Sequence, residues 1–408
     1  MSQVDIVSGL AATYCKVEST FGSTPGSMTR VFPVGMVSVS PTQTIIATDT
    51  QQVKFVNRDK SVRGLKTCTA KLTCDAYIDN NRANSAATPA QHWLGAMIKA
   101  ILGGESMPAG STIAAGSTSS AINAAVGHGT RFPVGQVALC DVGDTPEVII
   151  IKAVAADTLT PLFNLSGSPT TGQDIFNTHS YHLTDTNTQS LSLQLALAQD
   201  SNHQWTLNGL TGGISLSITR NERVQYSFDL RGTTFTGPSA QSVSTAVGTN
   251  SLSGPVPNRD AVCYLQSLST TTRTHVPFHE ISVTIDSAMD HVTELGGATE
   301  GVIGTMRTKK DNASSLVSAE LTIRTDTARQ TDWDNDTDYV LVYAIPRGTG
   351  ASKQWWGFVI YCNIEGRPDP VVVDGRQMMK LSLKGRQNTM QSTVTTDLAN
   401  SPIVIFEG

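Results

Sequence analysis

A chain of 408 residues is too long for a single hydrophobic core, and its 39% apolar content is enough to pack two or three. Only 15% of residues are charged and the net charge is −5, which excludes charge-driven disorder and a global basic field that would recruit nucleic acid. Residues 1–10 carry neither a basic nor an apolar segment and read as no secretory signal, and no apolar run is long enough to span a bilayer.

Most of the chain alternates between apolar and Ser/Thr-type residues, the period of half-buried β-strands. Residues 67–77 (TCTAKLTCDAY) form the first clear strand, read as starting after a turn at Gly64. Thr88 as N-cap, Pro89 at the first helical position and Gln91 predict a capped helix over about 88–102. Trp93, Leu94, Met97, Ile98, Ile101 and Leu102 fall on its one apolar face, which needs a sheet to cover it, and Gly103-Gly104 ends it. Residues 108–129 are rich in Gly, Ser and Ala and read as a loop. Two strand-like runs then flank the turn Gly143-Asp144-Thr145-Pro146, within an inserted small β unit spanning about 129–199.

Residues 214–220 (ISLSITR) and 224–230 (VQYSFDL) predict a hairpin. Residues 237–259, rich in Ser, Gly, Pro and Thr, mark a linker. Beyond it, residues 281–285 (ISVTI), 319–324 (AELTIR) and 380–383 repeat the strand signature, and 339–345 (YVLVYAI) is apolar enough for a central strand. A short helix is expected near 328–333. Two segments echo each other across the linker: 69–73 (TAKLT) with 318–322 (SAELT), and 226–232 (YSFDLRG) with 379–385 (MKLSLKG). Their common order predicts a mainly β (α+β) chain of two related modules, 1–236 and 260–408. The tetrapeptide Phe32-Pro33-Val34-Gly35 also returns as Phe132-Pro133-Val134-Gly135.

Catalytic signatures are missing. No G-x-S-x-G elbow, P-loop or G-x-G-x-x-G is present, so the chain reads as a non-enzyme with no cofactor. His179 and His182, and His275 and His279, lack a Glu or Cys at ligand spacing and read as surface or loop residues. Asp332, Asp334, Asp336 and Asp338 have the start of a calcium loop, but Thr337 and Tyr343 occupy the positions that need Gly and Glu. Cys15, Cys68, Cys74, Cys140, Cys263 and Cys362 are scattered and read as buried free thiols. Trp355, Trp356, Phe358 and Tyr361 read as β-sheet core or subunit interface in preference to a platform for sugars. Lys54, Arg58, Lys60 and Arg63, with Lys66, form the one basic cluster, read as a solvated, mobile hairpin loop or a contact to an acidic neighbouring subunit in preference to a nucleic-acid patch.

Residues 14–26 (YCKVESTFGSTPG) resemble the start of bacteriophage tail tube proteins, the major tail proteins of the virion. The order that follows is similar to theirs: an extended segment with a long loop (31–63), a strand (65–77), a capped helix and the hairpin at 213–232. Residues 275–386 resemble a further tube module. The resemblance implies β-sandwich or rolled-sheet subunits that join edge to edge into a ring with a continuous inner barrel. The rings would stack into a tube, in the virion tail, that conducts DNA into the host and meets other tail proteins. It also implies that the loop holding Lys54, Arg58, Lys60 and Arg63 contacts a neighbouring subunit or ring. With two modules per chain, a trimeric ring of pseudo-sixfold symmetry is expected ahead of a hexamer. The alternative expectation is a receptor- or glycan-binding β-sandwich tail component.

Overall fold

A computed structural model describes residues 11–46, 62–78, 94–184, 189–197, 204–219, 222–239, 258, 260–294, 301–307, 316–325, 337–387 and 396–408, single positions 27, 36, 144 and 288 apart. The fold is mainly β, with large antiparallel sheets, one of them curled into a half-barrel.

In the first half, β1 (Ala11–Val17) lies between β2 (Thr29–Val31) and β13 (Leu191–Leu197). Strand β13 pairs with β14 (Gln204–Thr219), which also carries β15 (Gln225–Gly232) and β16 (Thr234–Ser239). Strand β15 continues the sheet to β4 (Val62–Asp75), and β4 to β3 (Ser38–Ile46).

The second half repeats this plan. Strand β17 (Val262–Ser267) takes the place of β1, bridged to His275 through Tyr264 and paired with β22 (Tyr339–Arg347). Strand β22 pairs with β23 (Gln354–Ile364), which carries β25 (Arg376–Gly385) and β26 (Ile403–Glu407). Strand β25 then pairs with β24 (Asp369–Val373) and β21 (Val317–Arg324), and β21 with β18 (Phe278–Asp286).

The repeated segments pair in the same register. Thr69, Ala70 and Leu72 stand opposite Arg231, Leu230 and Phe228, while Ser318, Ala319 and Leu321 stand opposite Lys384, Leu383 and Leu381. The correspondence extends past the segments recognisable in the sequence. Ser38 and Val39 face Lys71 and Ala70, as Ser282 and Val283 face Glu320 and Ala319, so residues 37–40 (VSVS) match 281–284 (ISVT). A one-residue slip would turn every apolar side chain outward, so a shared register means a shared buried face. One difference is the long β14, whose counterpart is broken into β23 and β24 by Glu365-Gly366-Arg367-Pro368, with Gly366 at φ +73°.

Between β4 and β13 the first half inserts α1 (Gly95–Leu102), β5 (Gly103–Ser106) and a separate six-stranded sheet. That sheet runs from β6 (Ser111–Thr112) through β7 (Ile122–Asn123), β8 (Val137–Val142), β9 (Thr145–Ala155) and β10 (Thr158–Pro161) to β11 (Asp174–Asn177). The chain then re-enters the main sheet at β12 (His179–Leu183), between β5 and β26. The inserted sheet lays Val137, Leu139, Ile150 and Phe176 on the outer faces of β22, β23 and β26. Those strands are therefore buried on both sides, which explains the apolar density of residues 339–345. On their inner sides, Leu341, Tyr343, Trp356 and Phe358 join Leu72, Tyr226 and Leu216 in one core shared by both halves.

Several expectations change. Helix α1 begins at Gly95 with Leu94 as N-cap and no side-chain cap; Thr88, Pro89 and Gln91 lie outside the described residues. Its stripe packs on β1, β12 and β14, and Gly103, at φ +94°, ends it. Gly64 is no turn but lies inside β4. The stretch 108–129 carries β6 and β7, found only through distant partners β11 and β10. His179 and His182 are not surface or loop residues but buried members of β12, whose neighbours on both sides leave them no solvent. All six cysteines are buried and free. Residues 328–333 and most of 237–259 lie outside the described residues.

Trp356 ties the halves together. Its ring meets Tyr226 edge-on at 5.8 Å, and its indole N–H donates to the Tyr226 hydroxyl at 2.9 Å. Trp356→Ala should cost about 3–5 kcal/mol in denaturant unfolding, and loss of the whole cooperative transition, not of one half, is expected because the core is continuous.

Burial lowers the pKa of His182 from 6.5 to about 4, against the weaker opposing pull of Asp397 and Glu105. The folded state keeps this imidazole neutral while the unfolded chain protonates it below 6.5, so the unfolded chain binds more protons and stability falls as pH drops towards 4. Unfolding free energy should decline by up to about 3 kcal/mol across that window, and His182→Gln should flatten the dependence in denaturation curves taken at successive pH values.

Candidate assembly interface

One antiparallel ladder joins the long strand runs of the two halves, beside the pairing of β12 with β26. Residues 213–219 of β14 pair with 286–280 of β18, with Leu216 opposite Val283 and Ile218 opposite Ile281. These four side chains are at most 1% exposed, and each such burial contributes about 1.5–3 kcal/mol. The result is one continuous run of strands: β3, β4, β15, β14, β18, β21, β25, β24.

Both ends of this run are unpaired among the described residues. Strand β3 pairs only with β4, and β24 only with β25. They correspond to the two strands that meet at the internal ladder: β3 to β18, and β24 to the end of β14. The exposure of corresponding residues differs. Val372 matches Ile218 yet is 74% exposed, whereas Ile218 is 0% exposed. Val37 and Val39 match the fully buried Ile281 and Val283 but are only partly buried against the core. A groove of about 520 Å³ runs along β24, lined by Pro370, Val371, Val372, Met378 and Met379.

The face of the run turned away from the core is polar. It presents Thr69 and Lys71, Ser227 and Asp229, Ser215 and Ser217, Ser282 and Thr284, Ser318 and Glu320, then Ser382 and Lys384. Charges of both signs sit together: Lys71 reaches Asp229 at 3.0 Å and Lys380 reaches Glu320 at 2.8 Å. Lys71 and Glu320 occupy corresponding positions with opposite sign.

The acid of the 14–26 motif has a structural part. Glu18 is buried, and its carboxylate accepts from the hydroxyls of Ser190 (2.5 Å) and Ser192 (2.7 Å) and the amides of Gly22 (2.6 Å) and Gly209 (2.8 Å). Gly209 sits in β14 at φ +66°, where a Cβ would lie 2.5 Å from the Thr233 hydroxyl. Glu18 thus fastens the turn after β1 to β13 and β14.

Of the basic cluster, Arg63 lies in β4 opposite Ile45; Lys54, Arg58 and Lys60 lie outside the described residues. The second half has a hairpin at the corresponding connection, β19 (Met289–Glu294) with β20 (Gly301–Arg307). Trp355, Trp356, Phe358 and Tyr361 are all core residues, so they form no sugar platform; the Trp355 indole donates to the Pro146 carbonyl at 3.0 Å. Among the described residues no group of three or more His, Cys, Asp or Glu side chains could hold a metal ion. No described helix is long and apolar enough to cross a membrane. Asp338 pairs with Arg386 at 3.3 Å, and the other three acids of its stretch lie outside the described residues. The edges at Val37, Val39 and Val372 escaped sequence reasoning, though extending the repeat to VSVS and ISVT would have found the first. Neither a family model nor a curated protein matches the chain.

Glu18→Ala removes the shared acceptor of four donors, three of them buried, of which Ser192 keeps a second acceptor in Asn208. It should lower stability by about 3 kcal/mol or more, measured by thermal or urea unfolding, with Glu18→Gln intermediate because one acceptor oxygen remains.

Proposed function

We propose that this chain is a structural protein that assembles with copies of itself into rings, and that the rings stack into the tail tube of a bacteriophage, the conduit for DNA during ejection. The observation that carries the reading is the duplicated module. One internal ladder already joins two modules edge to edge, and the same kinds of edge stand open at either end of the chain. Head-to-tail contacts of this sort close into rings when the rotation per subunit allows it, and closure removes the aggregation hazard of open edges.

The curled sheet and its polar outer face support a wet lumen. Three copies, each giving the eight strands of the run, would make a barrel of roughly 24 strands, beyond the 16–18 at which barrels enclose an aqueous channel. A face on which Lys71 and Lys380 are neutralised by Asp229 and Glu320 offers DNA few free cations to bind. The resemblance of residues 14–26 to tail tube proteins points the same way. Other tail proteins and neighbouring rings are the partners this reading implies. The glycan-binding alternative loses its main support with the burial of Trp355 and Trp356.

Negative-stain microscopy of the purified chain tests the reading. Rings or tubes are expected, with three chains per ring by mass. Six chains per ring would overturn the trimer, and a chain that stays monomeric at every concentration and ionic condition would overturn self-assembly.

A further inference from the structure

We infer that the seam between neighbouring copies is β24 of one chain laid antiparallel on β3 of the next, in a register that the internal ladder specifies. The inference rests on the self-assembly reading and adds to it a defined pair of strands and a defined alignment.

The alignment follows from three sets of paired residues. Within the chain, Ser215 stands opposite Thr284, Leu216 opposite Val283, Ser217 opposite Ser282 and Ile218 opposite Ile281. Strand β24 corresponds to β14 through the shared partner: Ser215 faces Ser227 of β15, and Asp369 faces Lys380 of β25, the match of Ser227. Strand β3 corresponds to β18 through β4 and β21, which places Ser38, Val39 and Ser40 at Ser282, Val283 and Thr284. Substitution gives the seam: Asp369 opposite Ser40, Pro370 opposite Val39, Val371 opposite Ser38, and Val372 opposite Val37.

The chemistry of the pairs suits their side of the sheet, Val371 excepted, which falls beside Ser38 on the polar face. Val372, Val37, Pro370 and Val39 fall on the core face, where Ile218, Ile281, Leu216 and Val283 are buried in the internal ladder. Asp369, Ser40 and Ser38 fall on the polar face. Val372 is one of three large apolar side chains left exposed among the described residues, and Val34, at 41%, is another, just before β3. The occupant of the β24 groove is therefore a second copy of this chain, because its own β18 already demonstrates the complementary edge.

Engineered disulfides in the full chain test the register. The native thiols provide a quiet background, since all six are buried. Directly opposed residues in an antiparallel pair have Cα atoms about 4.5–5.5 Å apart, inside the range a disulfide spans, whereas a two-residue shift leaves them outside it. Ser217→Cys with Ser282→Cys, across the internal ladder, should close within one chain and calibrates the chemistry. Ser38→Cys with Val371→Cys should link separate chains into a covalent ladder that ends at the closed ring. Ser38→Cys with Val373→Cys, shifted by two, should link at least about tenfold less. Val372→Lys should leave folding unchanged by circular dichroism, because that side chain is exposed, yet raise the concentration needed for assembly at least about tenfold.

Rings that cross-link only in another register, or that assemble undisturbed with Val372→Lys, would overturn the seam while leaving self-assembly standing. Absence of any oligomer from the unsubstituted chain would remove both.

Discussion

The ladder between β14 and β18 is the contact on which the architecture depends. It joins two modules whose edges would otherwise stand open, and it does so with backbone hydrogen bonds that any sequence can make. Specificity comes from the side chains: Leu216, Ile218, Ile281 and Val283 must all face inward, and a one-residue slip would turn one strand's set outward. Because the modules share a pairing plan, the ladder also states what the two outer edges can accept. Among the described residues the run ends in two edge strands, and the seam proposed above would complete it with another copy.

The insertion breaks the likeness between the halves for a physical reason. Strands β22, β23 and β26 of the second half bury apolar residues on both faces, which an open two-layer module could not tolerate. The inserted sheet of the first half covers the second of those faces with Val137, Leu139, Ile150 and Phe176. The connection makes the halves mutually dependent, as does the contact of Tyr226 with Trp356 across the shared core. The two halves are thereby packed into one continuous core.

Local alternation made the strands legible. Residues 67–77, 214–220, 281–285 and 319–324 advertise a period of two, and each lies in or overlaps a strand. The echo between 69–73 and 318–322, and between 226–232 and 379–385, held a further fact that composition could not reveal: each early strand pairs with its own late strand in matching register. What stayed hidden depends on distant contacts. Strands β6 and β7 are two residues each and exist only through β11 and β10. His179 and His182 look like loop residues until β5 and β26 flank them. The candidate interface was least legible, because an edge is defined by a missing neighbour. Val372 reads as an ordinary strand residue, and only comparison with the buried Ile218 sets its exposure apart.

The two outer edges are not equal, and the inequality bears on how assembly stays controlled. Strand β3 extends over nine residues, whereas β24 has five, headed by Asp369 and Pro370. Proline lacks an amide hydrogen and a charge resists burial, and both are devices by which proteins discourage indiscriminate strand addition. The break at Glu365-Gly366-Arg367-Pro368 shortens β24 relative to β14, so fewer backbone bonds are on offer than in the internal ladder. In the proposed seam, a partner gains most by setting Val37 on Val372 and Val39 on Pro370, and a slipped partner would bury Asp369 against apolar neighbours. The edge at β24 thus offers a shorter and more selective ladder than the one between β14 and β18.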